Sequence, residues 1–407
     1  MYFTFAWRYF IAKKSTNAIN IIAWVSVLAI AVGTASLIIL LSVFNGFEDL
    51  VKSLYANFYT DLRVAPVHGK SILISAEQLA ALKRMPEIRS YSMVMEEKAL
   101  IQNGEMTSIV FVKGVDEEYT NVTGVAGKLL RGKFYLGTPD TPAAILGAGI
   151  ESALGVQSDR SVVPLTIYLS KRGANITVSD PLQSLSADNI NTAGTFAIQQ
   201  DFDNKYVITN LGFIKRMLHS KANEYGAIEI TLHDAGKVES VKKNLATLFG
   251  KNYLVQTRYE QNKSLYSVMQ MEKWVIYAIL SIILVVAAFT MIGALTMLVL
   301  EKQKDIQVLK AMGTGNALVQ KIFLSEGLLL ATVGGFIGVL LAVVICWLQV
   351  RYKLVKLEGS SFLIDYYPVK LVFTDFLLVL GTVFSVAWIA SWFPSRKASF
   401  QPIELRS

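Results

Sequence analysis

Ser15–Phe47 reads STNAINIIAWVSVLAIAVGTASLIILLSVFNGF and contains no Asp, Glu, Lys or Arg. Trp274–Leu300, Gly327–Val350 and Phe376–Ser395 are uncharged in the same way. A bilayer core about 30 Å thick needs roughly 20 apolar residues in a helix, and each stretch meets that length. Between the first and second stretch lies a mostly polar segment long enough to fold by itself. The sequence therefore predicts an α-helical membrane protein with four transmembrane helices and a large α+β domain inserted between helices 1 and 2.

Composition agrees. Hydrophobic residues make up 53% of the chain and charged residues 17%, with a mean hydropathy of +0.43; soluble domains average about 25% charged residues. The net charge of +8 comes with Lys and Arg gathered at membrane flanks, and no basic run with interleaved aromatics marks a nucleic-acid partner. The single cysteine, Cys346, lies inside the third stretch, so no intramolecular disulfide is available. The first stretch is too long for a signal-peptide core and reads as a retained helix.

Charge placement sets the expected topology. Arg8, Lys13 and Lys14 precede helix 1; Lys302, Lys304, Lys310 and Lys321 lie between helices 2 and 3; Arg396, Lys397 and Arg406 follow helix 4. All three groups fall on one side if both termini are cytoplasmic and the large domain is outside. Arg351, Lys353, Lys356 and Lys370, between helices 3 and 4, count against this. The first helix dominates orientation, which favours the N-in arrangement.

The expected boundaries follow. Residues 1–14, with Phe3, Trp7 and Phe10 among basic residues, read either as an interfacial helix or as an aromatic extension of helix 1. Residues 15–60 hold helix 1 and a helical stalk, 61–262 the outer domain, 263–300 a second stalk and helix 2, and 301–316 a cytoplasmic helix. Residues 317–350 are helix 3, 351–370 an outer loop, 371–395 helix 4 and 396–407 a cytoplasmic tail. The outer domain reads as one module or as two subdomains with a break near Ser161. Its strands are expected at 108–115, 143–146, 163–169, 195–199, 206–209 and 227–232, and its helices at 76–85, 211–218 and 237–249. Residues 170–191, rich in Ser, Asn, Asp and Gly, read as a long hairpin arm or loop.

Catalytic motifs are absent. His68, His219 and His233 have no ligand spacing, which argues against a zinc site. Gly69-Lys70-Ser71 resembles the end of a P-loop, but the position that must be its first glycine is Val64. No Gly-x-Ser-x-Gly elbow occurs. No charge lies deep in a span, which argues against a proton-driven pump. The chain is expected to be non-catalytic, with no cofactor of its own and no metal, and energy must come from a partner. Gly334 and Gly338 form a small-xxx-small pair suited to close helix packing.

The segment Glu301-Lys302-Gln303-Lys304-Asp305-Ile306-Gln307-Val308-Leu309-Lys310-Ala311-Met312-Gly313-Thr314 begins at the end of helix 2. On spacing alone it is a solvated turn with snorkelling lysines, in which Ile306, Leu309 and Met312 share a helical face and Gly313 supplies a stop. The segment also resembles the coupling-helix signature of the FtsX/MacB-type ABC permeases, and continues into Ile322-Phe323-Leu324-Ser325-Glu326-Gly327. Within that superfamily the chain is most similar to the lipoprotein-releasing permeases of the LolC/LolE group. Leu41-Ser42-Val43-Phe44-Asn45-Gly46-Phe47-Glu48, Lys113-Gly114-Val115-Asp116, Leu146-Gly147-Ala148-Gly149, Asp203-Asn204-Lys205-Tyr206 and Phe393-Pro394-Ser395-Arg396-Lys397-Ala398 carry the likeness, which spans nearly the whole chain.

The resemblance implies a permease subunit in the bacterial inner membrane. It would pair with a second permease subunit, identical or homologous, and with two copies of a separate ATPase subunit that binds ATP. Closure of the ATPases would drive the outer domains mechanically, and lipoproteins would pass from the outer leaflet to a periplasmic chaperone. By position, Glu301, Lys302, Lys304, Asp305, Ile306, Leu309, Lys310, Met312 and Gly313 would contact the ATPase. Pro181, Leu182 and Leu185, in the arm, would meet the chaperone. Leu41, Phe44, Phe47, Met269, Trp274 and Tyr277 would form an apolar cavity for acyl chains beside membrane lipid; ordinary interfacial anchoring is the competing reading for the aromatic residues. The alternatives are an FtsX-like regulator of cell-wall hydrolases and a MacB-like efflux permease. The longer outer domain counts against the first, and the fused N-terminal ATPase usual in MacB relatives against the second.

Overall fold

The computed structural model describes residues 17–160, 163–170, 185–357 and 366–400, with side chains from residue 21 onward. Residues 1–14, Pro181, Leu182 and the end of the tail lie outside the described residues. In chain order, α1 (Asn17–Phe58) leads into β1 (Leu62–Pro66), β2 (Ile72–Leu73), α2 (Ala76–Lys83) and the long strands β3 (Ile88–Asn103) and β4 (Met106–Val115). Strands β5 (Leu129–Gly132), β6 (Ala143–Gly147), β7 (Leu165–Ser170), β8 (Leu185–Phe196) and β9 (Tyr206–Asn210) follow. Then come α3 (Leu211–Met217), β10 (Glu224–Tyr225), β11 (Ala227–Leu232), α4 (Val238–Phe249) and β12 (Tyr253–Thr257). Helices α5 (Lys263–Glu301), α6 (Gln303–Ala311), α7 (Asn316–Tyr352) and α8 (Phe373–Ser399) complete the described chain. Two compact units result: a helical one up to Leu50 and from Ser267 onward, and an α+β one over Val51–Tyr266.

The helical unit is built from α1, α5, α7 and α8, each long and apolar enough to cross a membrane. Their shared core contains Val27, Ile38 and Leu41 of α1, Met291 and Leu295 of α5, Leu330 and Ala331 of α7, and Val379 and Val383 of α8. Outward-facing side chains are large and apolar too, among them Phe289, Phe336 and Ile389, as a lipid solvent requires. With apolar solvent on every side, close packing must hold the helices together. Gly334 and Gly338 supply it: a Cβ there would stand 2.9 Å from the Val27 carbonyl oxygen and 2.5 Å from that of Ala31, so α7 lies backbone to backbone on α1. Hydroxyls inside the spans donate to carbonyls one turn back, as Thr34 does to Ile30 at 2.7 Å and Ser391 to Ala387 at 2.7 Å, which leaves no unpaired donor at those positions.

In the α+β unit ten strands form one sheet in the order β12-β1-β11-β3-β4-β9-β6-β8-β5. β7 pairs with both β3 and β8, so β3, β4, β9, β6, β8 and β7 close into a ring. Val112, Leu146, Leu165, Ile167 and Val207 belong to one core cluster there. β1, β11 and β12 carry α2 and α4 over a second core containing Leu82, Ile228, Val241 and Leu245. Strands from both sides of Ser161 share the ring, so no sheet boundary falls there.

Two local differences from the sequence reading have physical causes. β8 ends at Phe196 rather than at Gln199, because Gln199 accepts a hydrogen bond from the Asp201 amide and caps the turn of helix Gln200–Asp203. β3 escapes prediction because Glu96-Glu97-Lys98 interrupts its apolar pattern; Glu97 is held by Lys70 at 2.7 Å, and Glu96 lies 4.0 Å from Arg63. Of the two readings given for 170–191, hairpin arm or loop, residues 185–191 take the strand form, paired antiparallel to β7 with Ser170 opposite Leu185, and residues 171–184 lie outside the described residues.

Candidate functional site

Asn45 lies near the end of the uncharged stretch of α1, Lys273 and Asp375 stand one residue before those of α5 and α8, and the fold brings the three together. Asn45, buried on α1, donates to the Asp375 carboxylate at 2.5 Å. Lys273 of α5 donates to the Asn45 side-chain oxygen at 2.8 Å and lies 3.4 Å from Asp375 Oδ1. A buried amide with both ends satisfied avoids the desolvation cost of an unpaired one. Gly46 follows because a Cβ there would meet the Pro368 carbonyl. Close by, Lys370 donates from its backbone amide to the Ser42 carbonyl at 2.9 Å and from its ammonium to Asp49 at 2.6 Å.

Beside this cluster opens a cavity of about 410 Å³, lined by Leu41, Trp274, Tyr277 and Leu378 together with Glu48, Gln270, Lys273 and Asp375. Trp274 and Tyr277 meet edge to face, 5.7 Å between centroids, and the Tyr277 hydroxyl hydrogen-bonds to Thr382. Of the six residues expected around a lipid cavity, Leu41, Trp274 and Tyr277 line this one. Phe47 instead packs edge to face on Tyr367, 5.8 Å away; Phe44 and Met269 are half-buried outside the lining. The charged members went unread in the sequence. Their signal was position: Glu48, Lys273 and Asp375 each sit within a residue of an uncharged stretch, where charges tend to be functional.

Helix α6 follows α5 after one intervening residue. Ile306 is 2% exposed and packs with Leu298, Val299, Val319, Phe323 and Ala398. Leu309 is half-buried, and Lys310 donates to the Ser399 carbonyl at 2.8 Å. Lys302 lies 3.4 Å from Asp305. Gly313, at φ +90°, ends the helix in the left-handed region, where glycine carries no Cβ penalty. The single face expected of Ile306, Leu309 and Met312 therefore splits: Ile306 points inward, while Met312, at the C-cap, is 73% exposed. The outward apolar pair is Val308 and Met312, four residues apart, with Lys304 and Asp305 exposed beside them. Val308 was missed because its neighbours Gln307 and Leu309 differ in polarity. Glu301 is half-buried at the end of α5.

In the α+β unit, β7 and β8 form an antiparallel pair whose last register is Ser170 with Leu185. Leu185 opens β8 and is half-buried there.

Four membrane-length helices, an α+β unit inserted between the first and second, and a short amphipathic helix between the second and third define a polytopic permease subunit. Residues 23–248, more than half of the chain, match the MacB-like periplasmic core domain, and residues 277–403 match the FtsX-like permease C-terminal domain. The chain belongs to this family of ABC transporter permeases with a MacB-like periplasmic core. It is 24% identical to the lipoprotein-releasing system transmembrane protein LolE of Haemophilus influenzae, over 100% of this chain and 99% of that one. It is 28% identical to the lipoprotein-releasing system transmembrane protein LolC of Xylella fastidiosa, over 98% and 96%. The pyoverdine export ATP-binding/permease protein PvdT of Pseudomonas syringae is 23% identical over 83% of this chain and 50% of its own length.

Proposed function

We propose that this chain is the transmembrane permease subunit of an ATP-driven complex that extracts lipoproteins from the outer leaflet of the bacterial inner membrane and passes them to a periplasmic chaperone. End-to-end similarity to two lipoprotein-releasing system proteins carries this reading. In the proposed cycle, paired ATPase subunits grip α6 through Lys304, Val308 and Met312. Their closure moves the helices, and the cavity at Leu41, Trp274 and Tyr277 receives the lipid-modified substrate. The arm at residues 170–191 meets the chaperone. Both termini are cytoplasmic and the α+β unit periplasmic.

The test is a detergent pull-down from the native membrane with mass spectrometry of what accompanies the chain. A stand-alone ABC ATPase together with lipoproteins is the expected result, and the number of permease species decides between homodimer and heterodimer. Val308→Glu should lose the ATPase while the fold persists, whereas Ile306→Glu should disrupt the local packing first. Asp305→Arg should uncouple ATP hydrolysis from release. The PvdT match supports a second reading, MacB-like efflux; recovery of the ATPase with a small-molecule substrate and no lipoprotein would establish it. Recovery of the ATPase with a cell-wall hydrolase would point to FtsX-like regulation, and no ATPase at all would sink all three.

A further inference from the structure

Four basic residues, Arg351, Lys353, Lys356 and Lys370, gather at and beyond the C-terminal end of α7, where the charge rule for an N-in topology does not ask for them. Lys370 is answered by Asp49 at 2.6 Å. The other three are exposed, and no ion pair holds them among the described residues. The Lys353 ammonium lies 4.1 Å over the Tyr366 ring.

Beside these cations runs an apolar groove of about 430 Å³ between α1 and α7, lined among others by Leu40, Val43, Ile345, Leu348, Leu354 and Val355. It shares no lining residue with the cavity at Trp274. Ile345, Leu354 and Val355 are exposed, so the groove opens outward. Two local features build its rim. Lys353 adopts φ +51°, uncommon for a residue with a Cβ, and its amide donates to the Gln349 carbonyl at 2.8 Å. The buried Gln349 side chain then accepts from the Val355 amide at 2.9 Å and donates to the Val355 and Tyr367 carbonyls at 3.0 and 3.2 Å. The chain is thereby pinned back over the groove, with Lys353 and Lys356 flanking the lining residues Leu354 and Val355, and Arg351 two residues beyond Gln349.

We infer that this groove holds a resident anionic phospholipid, an acyl chain on Leu40, Val43, Ile345 and Leu348 and its phosphate at Arg351, Lys353 and Lys356. Guanidinium and ammonium groups take phosphate oxygens through charge-assisted hydrogen bonds. A zwitterionic lipid would bring an ammonium of its own among three cations, so the site selects a net negative headgroup. The lipid is a bound component and not cargo, and the inference depends on the four spans rather than on lipoprotein release.

The full chain in phosphatidylcholine nanodiscs tests this with tracer phosphatidylglycerol carrying a diazirine in its acyl chain, and with the matching phosphatidylcholine tracer. Photolabelled positions are mapped by mass spectrometry. At residues 345–349 and 354–355 the anionic tracer is expected to label about tenfold more than the neutral one. At Phe289 and Ile389, exposed on α5 and α8, the two should label alike. Combining Arg351→Gln, Lys353→Gln and Lys356→Gln should bring the groove ratio within about twofold of one, while unchanged labelling at Phe289 and Ile389 shows that the spans remain in place. Equal labelling of the wild-type groove by both tracers, or none, overturns the inference. So does an anionic preference that survives the triple variant, or one that is as large at Phe289 and Ile389. None of these results bears on the release proposal.

Discussion

Lys113 and Glu229 form an ion pair at 2.7 Å with both side chains under 5% exposed, and the Lys113 ammonium stands 4.6 Å over the Phe58 ring and 5.1 Å over that of Tyr119. Removing one partner leaves a buried charge unanswered. Lys113→Met should therefore cost the α+β unit about 3–5 kcal/mol in denaturant unfolding followed by intrinsic fluorescence, and adding Glu229→Leu should return much of it. A cost for the double variant as large as for the single would show that packing, not charge, is at stake. Lys215 gives a pH signature. Burial pulls its ammonium down to about 8, against the Glu224 charge that raises it, and it lies 3.5 Å over the Tyr225 ring. With the folded value below the unfolded one, the unfolded chain binds more protons between those values, and stability rises with pH there. Comparing wild type with Lys215→Met from pH 7 to 10.5 should show this gain above about pH 8 in the wild type only. Such pairs were invisible in the sequence, since Lys113 and Glu229 belong to different strands and their meeting depends on β3 lying between β4 and β11.

Among the elements, spans were the most legible, because about 20 uncharged apolar residues have few other fates. The small-residue pair in α7 could also be read, and it yields a sharp contrast. Gly338→Val must displace the Ala31 backbone and Thr34, whereas a Cβ at Gly335 meets nothing closer than 3.7 Å. Gly338→Val should lower resistance to unfolding in micelles by about 1–3 kcal/mol, with Gly335→Ala near neutral; equal effects would contradict the α1–α7 contact. Helix α6 was legible as an element but misread by face, because its C-terminal residue leaves helical geometry at Met312 and helical phase no longer predicts its direction. The polar cluster of Asn45, Lys273 and Asp375 could not be assembled from sequence at all: its members lie on three helices, and hydropathy records only that Lys273 and Asp375 border apolar runs and that Asn45 falls near the end of one.

Over the whole molecule, orientation is the property most open to a direct check. Cys346 is the only cysteine and is 1% exposed, so introduced cysteines can be read against a silent native background. Val308→Cys should react with an impermeant maleimide only after the inner membrane is opened, and Asp188→Cys once the outer membrane is permeable; the reverse pattern would invert the topology. The α+β class of the inserted domain was legible from its alternating short elements, but ring closure was not, since it depends on β7 reaching both β3 and β8. That closure has a consequence for how this lineage can change. The hydrogen-bonded register of Ser170 with Leu185 fixes where the chain departs from the ring and where it rejoins. Whatever sequence joins these two points must meet the same fixed ends, and the entropy of closing a loop between fixed ends grows only slowly with its length, by about 0.6 kcal/mol per doubling. The ring acts as a socket: relatives can acquire new recognition sequences there by insertion and deletion while the strands that hold them stay under constant selection.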